Sequence, residues 1–170
     1  RWPVPADLGE RLRGQRIESI DRRAKYLFLN IEQGTVIVHL GMSGSLRIIT
    51  DETPPMPHDH IDLVLDSGTI LRFNDPRRFG CWLWTDSAKD HPLISHLGPE
   101  PLSPDFNGTT LFQLSRSKST PVKSFLMDNH VVVGVGNIYA NEALFKSGIH
   151  PRRKASRISL DRYHRLAEAI

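Results

Sequence analysis

From Arg16 to about Trp84, apolar residues come in short β-branched or aromatic runs broken by turn residues, with almost no sustained helical period. Lys25-Tyr26-Leu27-Phe28-Leu29-Asn30-Ile31 leads through Glu32-Gln33-Gly34 into Thr35-Val36-Ile37-Val38-His39-Leu40, the pattern of a hairpin. In a second hairpin Ile61, Leu63 and Leu65 alternate with Asp62, Val64 and Asp66, and Ser67-Gly68 turns the chain into Thr69-Ile70-Leu71-Arg72-Phe73. Strands at this spacing predict a β-sandwich or barrel-like domain. Between them, the prolines of Asp51 to Pro57 predict an exposed loop.

The pattern changes after the punctuated stretch Leu97-Gly98-Pro99-Glu100-Pro101-Leu102-Ser103-Pro104, which predicts a boundary between domains at 1–100 and 101–170. Beyond it the spacing predicts helices over 109–116, 121–127 with Pro121 in the first turn, and 138–147 with Asn137 as N-cap. Gly148 and Pro151 mark the stop of the third. A last helix starts behind Ser159 and places Leu160, Tyr163, Ala167 and Ile170 on one face. The fold class is therefore α+β. A start at Arg1 without Met, and a last helix without a stop signal, lead us to expect further sequence at both ends.

Composition narrows this to a globular chain: of 170 residues 39% are hydrophobic and 24% charged, and no apolar run has membrane-spanning length. A net charge of +3 leaves the partner open, so the placement of the cations carries the information. They cluster at Arg22-Arg23-Ala24-Lys25, Arg77-Arg78, Arg116-Ser117-Lys118 and Arg152-Arg153-Lys154. The single cysteine, Cys81, excludes an internal disulfide and a cysteine-based zinc site within these residues, and fits a reducing cytosol.

Four groups of residues carry candidate chemistry. Gly134-Val135-Gly136-Asn137 opens the clearest helix, where backbone N–H groups either receive a phosphate or form a tight capped turn. Met42, between Gly41 and Gly44, reads as an exposed apolar wedge. Asp75-Pro76-Arg77-Arg78-Phe79-Gly80 offers guanidinium groups for phosphates or orphaned bases and a ring for the base stack; the alternatives are a solvated turn paired with Asp75 and simple burial of Phe79. In an extended chain His58, His60 and Asp62 would share one face, as a metal-dependent hydrolase requires, but a structural or phosphate-contacting histidine is favoured and no metal is expected here. Lys25, on the side of Leu27, Leu29 and Ile31 in a strand-like segment, either snorkels or is held for a purpose.

In this order the motifs closely resemble the formamidopyrimidine-DNA glycosylase family. The matching stretches are Arg22-Arg23-Ala24-Lys25-Tyr26-Leu27, His39-Leu40-Gly41-Met42-Ser43-Gly44, His58-Asp59-His60, Asn74 to Gly80, Leu97 to Leu102, and Val133 to Phe145. The resemblance implies a β-sandwich followed by a helix-two-turns-helix domain around Asn137, acting as a monomer in the bacterial cytoplasm, associated with the nucleoid, on double-stranded DNA that contains a damaged base. It implies base-excision repair: flipping and excision of oxidised purines such as 8-oxoguanine and formamidopyrimidines, with abasic-site lyase activity by β,δ-elimination in the complete protein. By the same likeness Met42, Arg77 and Phe79 enter the gap left by the flipped base. His58, Arg78, Asn137 and Lys118 contact phosphates, Lys123 reaches the lesion side, and Lys25 is catalytic near the abasic sugar.

Family chemistry uses an N-terminal proline amine as nucleophile, a neighbouring Glu as acid, and a C-terminal four-cysteine ribbon holding one zinc ion. Arg1 is not a proline and one cysteine cannot build the ribbon, so no cofactor is expected within these residues and this chain is expected to be inactive alone. Two other readings accompany the first: a catalytically inactive DNA-binding fragment, and an oxidised-pyrimidine glycosylase of the sister group.

Overall fold

The computed structural model describes residues 2–50 and 53–170; Asp51 and Glu52, at the head of the expected proline-rich loop, lie outside them. The chain forms two compact units, Arg1–His91 and Pro92–Ile170. The break precedes the one expected at residue 100, because Leu97–Pro99 is tied into the second unit: Gly98 N–H donates to Asn129 O, and Val133 N–H to Pro99 O.

The first unit is built on antiparallel strands, preceded by a short helix α1 (Leu8–Leu12) that the strand-dominated pattern did not reveal. One sheet has the order β1-β2-β3-β7 and the other β4-β6-β5. Their ranges are β1 Ser19–Arg23, β2 Tyr26–Ile31, β3 Gly34–His39, β4 Ser45–Ile49, β5 Asp59–Val64, β6 Ile70–Asn74 and β7 Cys81–Thr85. Both expected hairpins form, as β2–β3 and β5–β6. The period of two sends Leu29, Val36, Val38 and Trp82 from one sheet against Phe73 of the other, with Leu8 of α1 closing the same core. Phe73 and Trp82 meet at 6.1 Å between ring centroids.

Arg72, in the middle of β6, is 2% exposed and would be costly to bury alone. Its guanidinium is held in a fork by Asp62 at 2.7 and 2.8 Å and also donates to Thr53 O. This ion pair fixes the β5–β6 register, in which Asp62 stands opposite Arg72.

The second unit is helical: α2 (Gly108–Ser115), α3 (Val122–Leu126), α4 (Asn137–Lys146) and α5 (Leu160–Ala169), with a 3₁₀ turn at Ala155–Arg157. Tyr163 lies at its centre, fully buried, its hydroxyl donating to Ala155 O and its ring edge-on to Phe112 and Phe125. Arg116 stacks 3.9 Å from the Phe112 ring centroid and donates to the carbonyls of Phe112, Ser156 and Ile158. Pro121 precedes α3 at the N-cap instead of sitting inside its first turn.

Replacing Arg72 with Met leaves the Asp62 carboxylate facing an apolar neighbour, and we expect a loss of about 3 kcal/mol of unfolding free energy. Urea unfolding of the chain followed by Trp fluorescence checks this; a midpoint unchanged from wild type contradicts the assigned role.

Candidate nucleic-acid interface

The strand register gathers the first unit's candidates. Arg23 stands opposite Tyr26, Tyr26 opposite His39 and His39 opposite Cys81 in one sheet. In the other, Ser45 stands opposite Asn74, and Asn74 opposite Asp59. The connections bearing Lys25, Met42, His58 and Arg77–Phe79 therefore all leave the strands at the same end of the sandwich. A cavity of about 1390 Å³ lies at the other end, lined by α1, the tail of β2 and the tail of β5.

Backbone strain marks this end. Among the described residues three non-glycines have left-handed φ: Ala24 (54°), His58 (74°) and Arg78 (54°). Each costs roughly 1–2 kcal/mol relative to ordinary backbone. All three are candidates or adjoin one. Ala24 and Lys25 form the two-residue turn between β1 and β2, so Lys25 is exposed at a hairpin tip and not on a strand face beside Leu27, as the alternation predicted. A tight hairpin needs a positive φ to match the twist of its strands, and buried Ala24 supplies it.

The expected shared face of His58, His60 and Asp62 does not form. His58 sits in the turn before β5, and a bulge between Asp59 and Ile61 re-aims His60. The His60 ring nitrogen Nε2 lies 3.0 Å from Asp75 O, and Asp62 is taken by Arg72. Among the described residues no three metal-ligating side chains gather.

The 75–80 turn hangs on Asp75, which is 1% exposed. Its N–H donates to His58 O, its carbonyl accepts from Arg78 N–H, and its Oδ2 accepts from Gly80 N–H at 2.7 Å. Among the described residues its Oδ1 is buried without a partner. The carboxylate is thus a backbone anchor and not the solvated partner of Arg77 and Arg78 that the sequence also allowed. Above it, Arg77 Nε donates to Ser43 Oγ at 3.1 Å, and its guanidinium lies 5.6 Å from the centre of the half-buried Phe79 ring.

The 40–44 turn packs directly on 79–80. Gly41 has φ +68°, and a Cβ there would stand 2.7 Å from Gly80 N and from the Phe79 carbonyl carbon. Gly41 N–H donates to His39 Nδ1 at 2.9 Å, and Gly44 N–H closes the turn onto Leu40 O. Met42 is held out at its tip, 73% exposed. Among the described residues no hydrogen bond or ion pair engages the side chains of Lys25 or Arg78, which leaves both cations for an outside partner.

In the second unit α4 begins after an extended Gly136, which is the N-cap; Asn137 is the first helical residue, exposed, and does not cap. No side chain caps this end, so its first amides face outward, an arrangement that suits an anion. Gly134, at φ +77°, has open space where a Cβ would be. Lys118 is exposed and fixed through its backbone, its N–H donating to Ser115 O and its carbonyl accepting from Ser156 N–H. Half-buried Lys123 lies in the first turn of α3. Sequence reasoning missed His39 and the anchoring role of Asp75; the only sign was a polar residue at a strand end followed two or five residues later by Gly.

The family model of the formamidopyrimidine-DNA glycosylase N-terminal domain matches residues 1–82, and that of the formamidopyrimidine-DNA glycosylase H2TH domain matches 97–170. The formamidopyrimidine-DNA glycosylase of Marinobacter nauticus is 75% identical over 170 residues, all of this chain and 63% of the relative. That of Stutzerimonas stutzeri is 59% identical over the same span. The chain thus spans about 63% of the length of these curated relatives. Among solved structures, the Lactococcus lactis enzyme, non-covalently bound to DNA containing an AP site, superposes with a TM-score of 0.87 at 31% identity, covering 94% of this chain and 62% of that one. The Thermus thermophilus MutM protein gives 0.82 at 40% identity, covering 92% and 57%.

Gly41→Ala adds both left-handed strain and a clash with the 79–80 backbone, and is expected to cost about 2–4 kcal/mol of stability. The same exchange at Gly68, also left-handed but in open space, is expected to cost only about 1 kcal/mol. Paired thermal melts check the difference; equal losses would show that the contact between the two turns is not what matters.

Proposed function

The chain belongs to the formamidopyrimidine-DNA glycosylase family, and on that premise we propose that it grips duplex DNA within a base-excision repair enzyme that flips out and excises oxidised purines and then cleaves the abasic site. The observation that carries the reading is the convergence of Lys25, Met42, His58 and Arg77–Phe79 on one end of the sandwich, with three strained residues holding them there. Relatives solved with abasic-site DNA and with carbocyclic 8-oxo-G DNA support the same partner.

The roles follow from the chemistry of each group. A flipped base leaves a gap whose unstacking costs a few kcal/mol, offset by apolar groups that fill it. Met42 and Phe79 are those groups, and Arg77, steered by Ser43, hydrogen-bonds the widowed base. Arg78, His58, Lys118 and the amide-rich start of α4 at Asn137 hold phosphates. Lys123 faces the lesion, and Lys25, on its hairpin tip, donates a proton or contacts a phosphate beside the abasic sugar. The family's zinc ribbon does not fit the residues described: Cys81 is the only cysteine and is buried in β7.

In the full-length enzyme, Arg77→Ala or Phe79→Ala should slow single-turnover excision from an 8-oxoguanine duplex about tenfold or more while changing nonspecific affinity less than about twofold. Equal losses in both would contradict the gap role. Lys118→Ala should weaken all duplexes alike and flatten the salt dependence by about one phosphate's worth. Borohydride trapping on the same duplex separates enzyme from binding module: an adduct in the full-length protein supports excision through an amine, and its absence with binding intact supports a module.

A further inference from the structure

The cluster Arg152-Arg153-Lys154, joined by Arg157 in the 3₁₀ turn that follows, has no part in the contacts assigned so far. The backbone sets it beside Lys118. Residues 151–156 run antiparallel to 118–123: Lys123 N–H donates to Pro151 O, Val122 N–H to Arg153 O, Ala155 N–H to Thr120 O and Ser156 N–H to Lys118 O, with Lys154 bridged to Pro121. The mount is firm. Ala155 and Ile158 are buried in the core of the second unit, and the Arg116 guanidinium donates to the carbonyls of Ala155, Ser156 and Ile158, which ties the segment down. Arg152, Arg153, Lys154 and Arg157 are all exposed on it.

These charges have no answer in their own surroundings. The stretches 106–127 and 143–160 contain neither Asp nor Glu, and Asp128 and Asp161 at their borders are engaged by His130 and Arg165. Arg153 donates to Arg157 O, and among the described residues no hydrogen bond or ion pair engages the side chains of Arg152, Lys154 or Arg157. A row of like charges repels itself and is relieved by a partner of repeating negative charge. We propose that the segment from Arg152 to Arg157 is a second row of phosphate contacts, lying beside Lys118 and taking neighbouring phosphates of the same duplex. The inference rests on the reading of Lys118 given above. Paired segments lie about 4.8 Å apart, and a duplex presents one charge per about 3.4 Å of axis along each strand, so a row one segment away reaches phosphates next to the one that Lys118 holds. Such contacts carry no sequence or lesion information; they strengthen the grip on any duplex and make it more sensitive to salt.

The test titrates the full-length enzyme against duplexes of about 20 base pairs, with and without 8-oxoguanine, by fluorescence anisotropy at salt from about 50 to about 200 mM. In the triple variant Arg152→Gln, Lys154→Gln, Arg157→Gln, the slope of log affinity against log salt is expected to flatten by roughly two to three phosphates' worth, and affinity at the lowest salt to fall about tenfold or more, equally on both duplexes. The swap Arg152→Lys with Arg157→Lys keeps the charges and should keep the slope. A charge-matched control removes three exposed cations of the first unit, Arg13→Gln, Arg16→Gln and Lys89→Gln, and should leave the slope within about one phosphate of wild type. A wild-type slope in the first triple variant beside a flattened Lys118→Ala would overturn the proposal and leave the DNA reading intact. Equal flattening in the control would also overturn it, since net charge and not this row would then be what the duplex feels. A wild-type enzyme that binds neither duplex removes the reading of Lys118 and this inference with it. If the triple variant does not fold, Lys154→Gln alone decides: its slope should flatten by about one phosphate's worth, and an unchanged slope overturns the proposal.

Discussion

The end of the first unit that gathers the candidate residues depends on a carboxylate that is almost wholly buried. Asp75 uses its backbone to tie down His58 and Arg78, its carbonyl to meet His60, and one carboxylate oxygen to hold Gly80 N–H. A buried carboxyl group with one oxygen unpartnered among the described residues is a costly element, and it stands at the place where three loops must keep one geometry. Left-handed backbone at His58 and Arg78 persists because this anchor and the strand register on both sides over-determine it. Gly80 then gives Gly41 a surface to rest on, and through Gly41 the shape of the Met42 turn is set by the same anchor.

The basic residues divide into two kinds. Arg72 and Arg116 are structural: one is forked onto Asp62 and the other spread over four carbonyls and a phenyl ring. Lys25, Arg78 and Lys118 have no such engagement among the described residues and project from turns or helix ends. Charge counted along the sequence treats Arg116 and Lys118 alike. Only the fold separates a cation that holds the chain together from one that is free to hold a phosphate.

Much of the architecture was legible beforehand. Alternation gave both hairpins, and the helical spacing gave the four α-helices of the second unit within a residue or two, because each buries one face against its own unit's core. The site was legible as motifs, yet not as geometry. Lys25 was read onto a strand because periodicity does not register a two-residue turn whose positive φ is carried by an alanine. Asn137 was read as a cap because Asn favours that position, whereas Gly136, already extended, takes it. His60 was misdirected by the assumption of a regular strand, which one bulge undoes. His39 and Asp75 escaped notice because their partners are backbone amides, and sequence carries no mark of a hydrogen bond to a main chain.

The contact between Gly41 and Gly80 has a bearing on how such a surface can change. The path of both turns is specified by hydrogens at two α-carbons, by amides, and by buried groups beneath them, while Met42, Arg77 and Phe79 only ride on that path. The riders are therefore open to exchange one at a time without refolding the loops, whereas a single methyl group on either glycine disturbs every rider at once. Tolerance to mutation is greatest at the tips that would read the lesion and least at the featureless residues behind them, so recognition here is able to diversify on an unchanging mount.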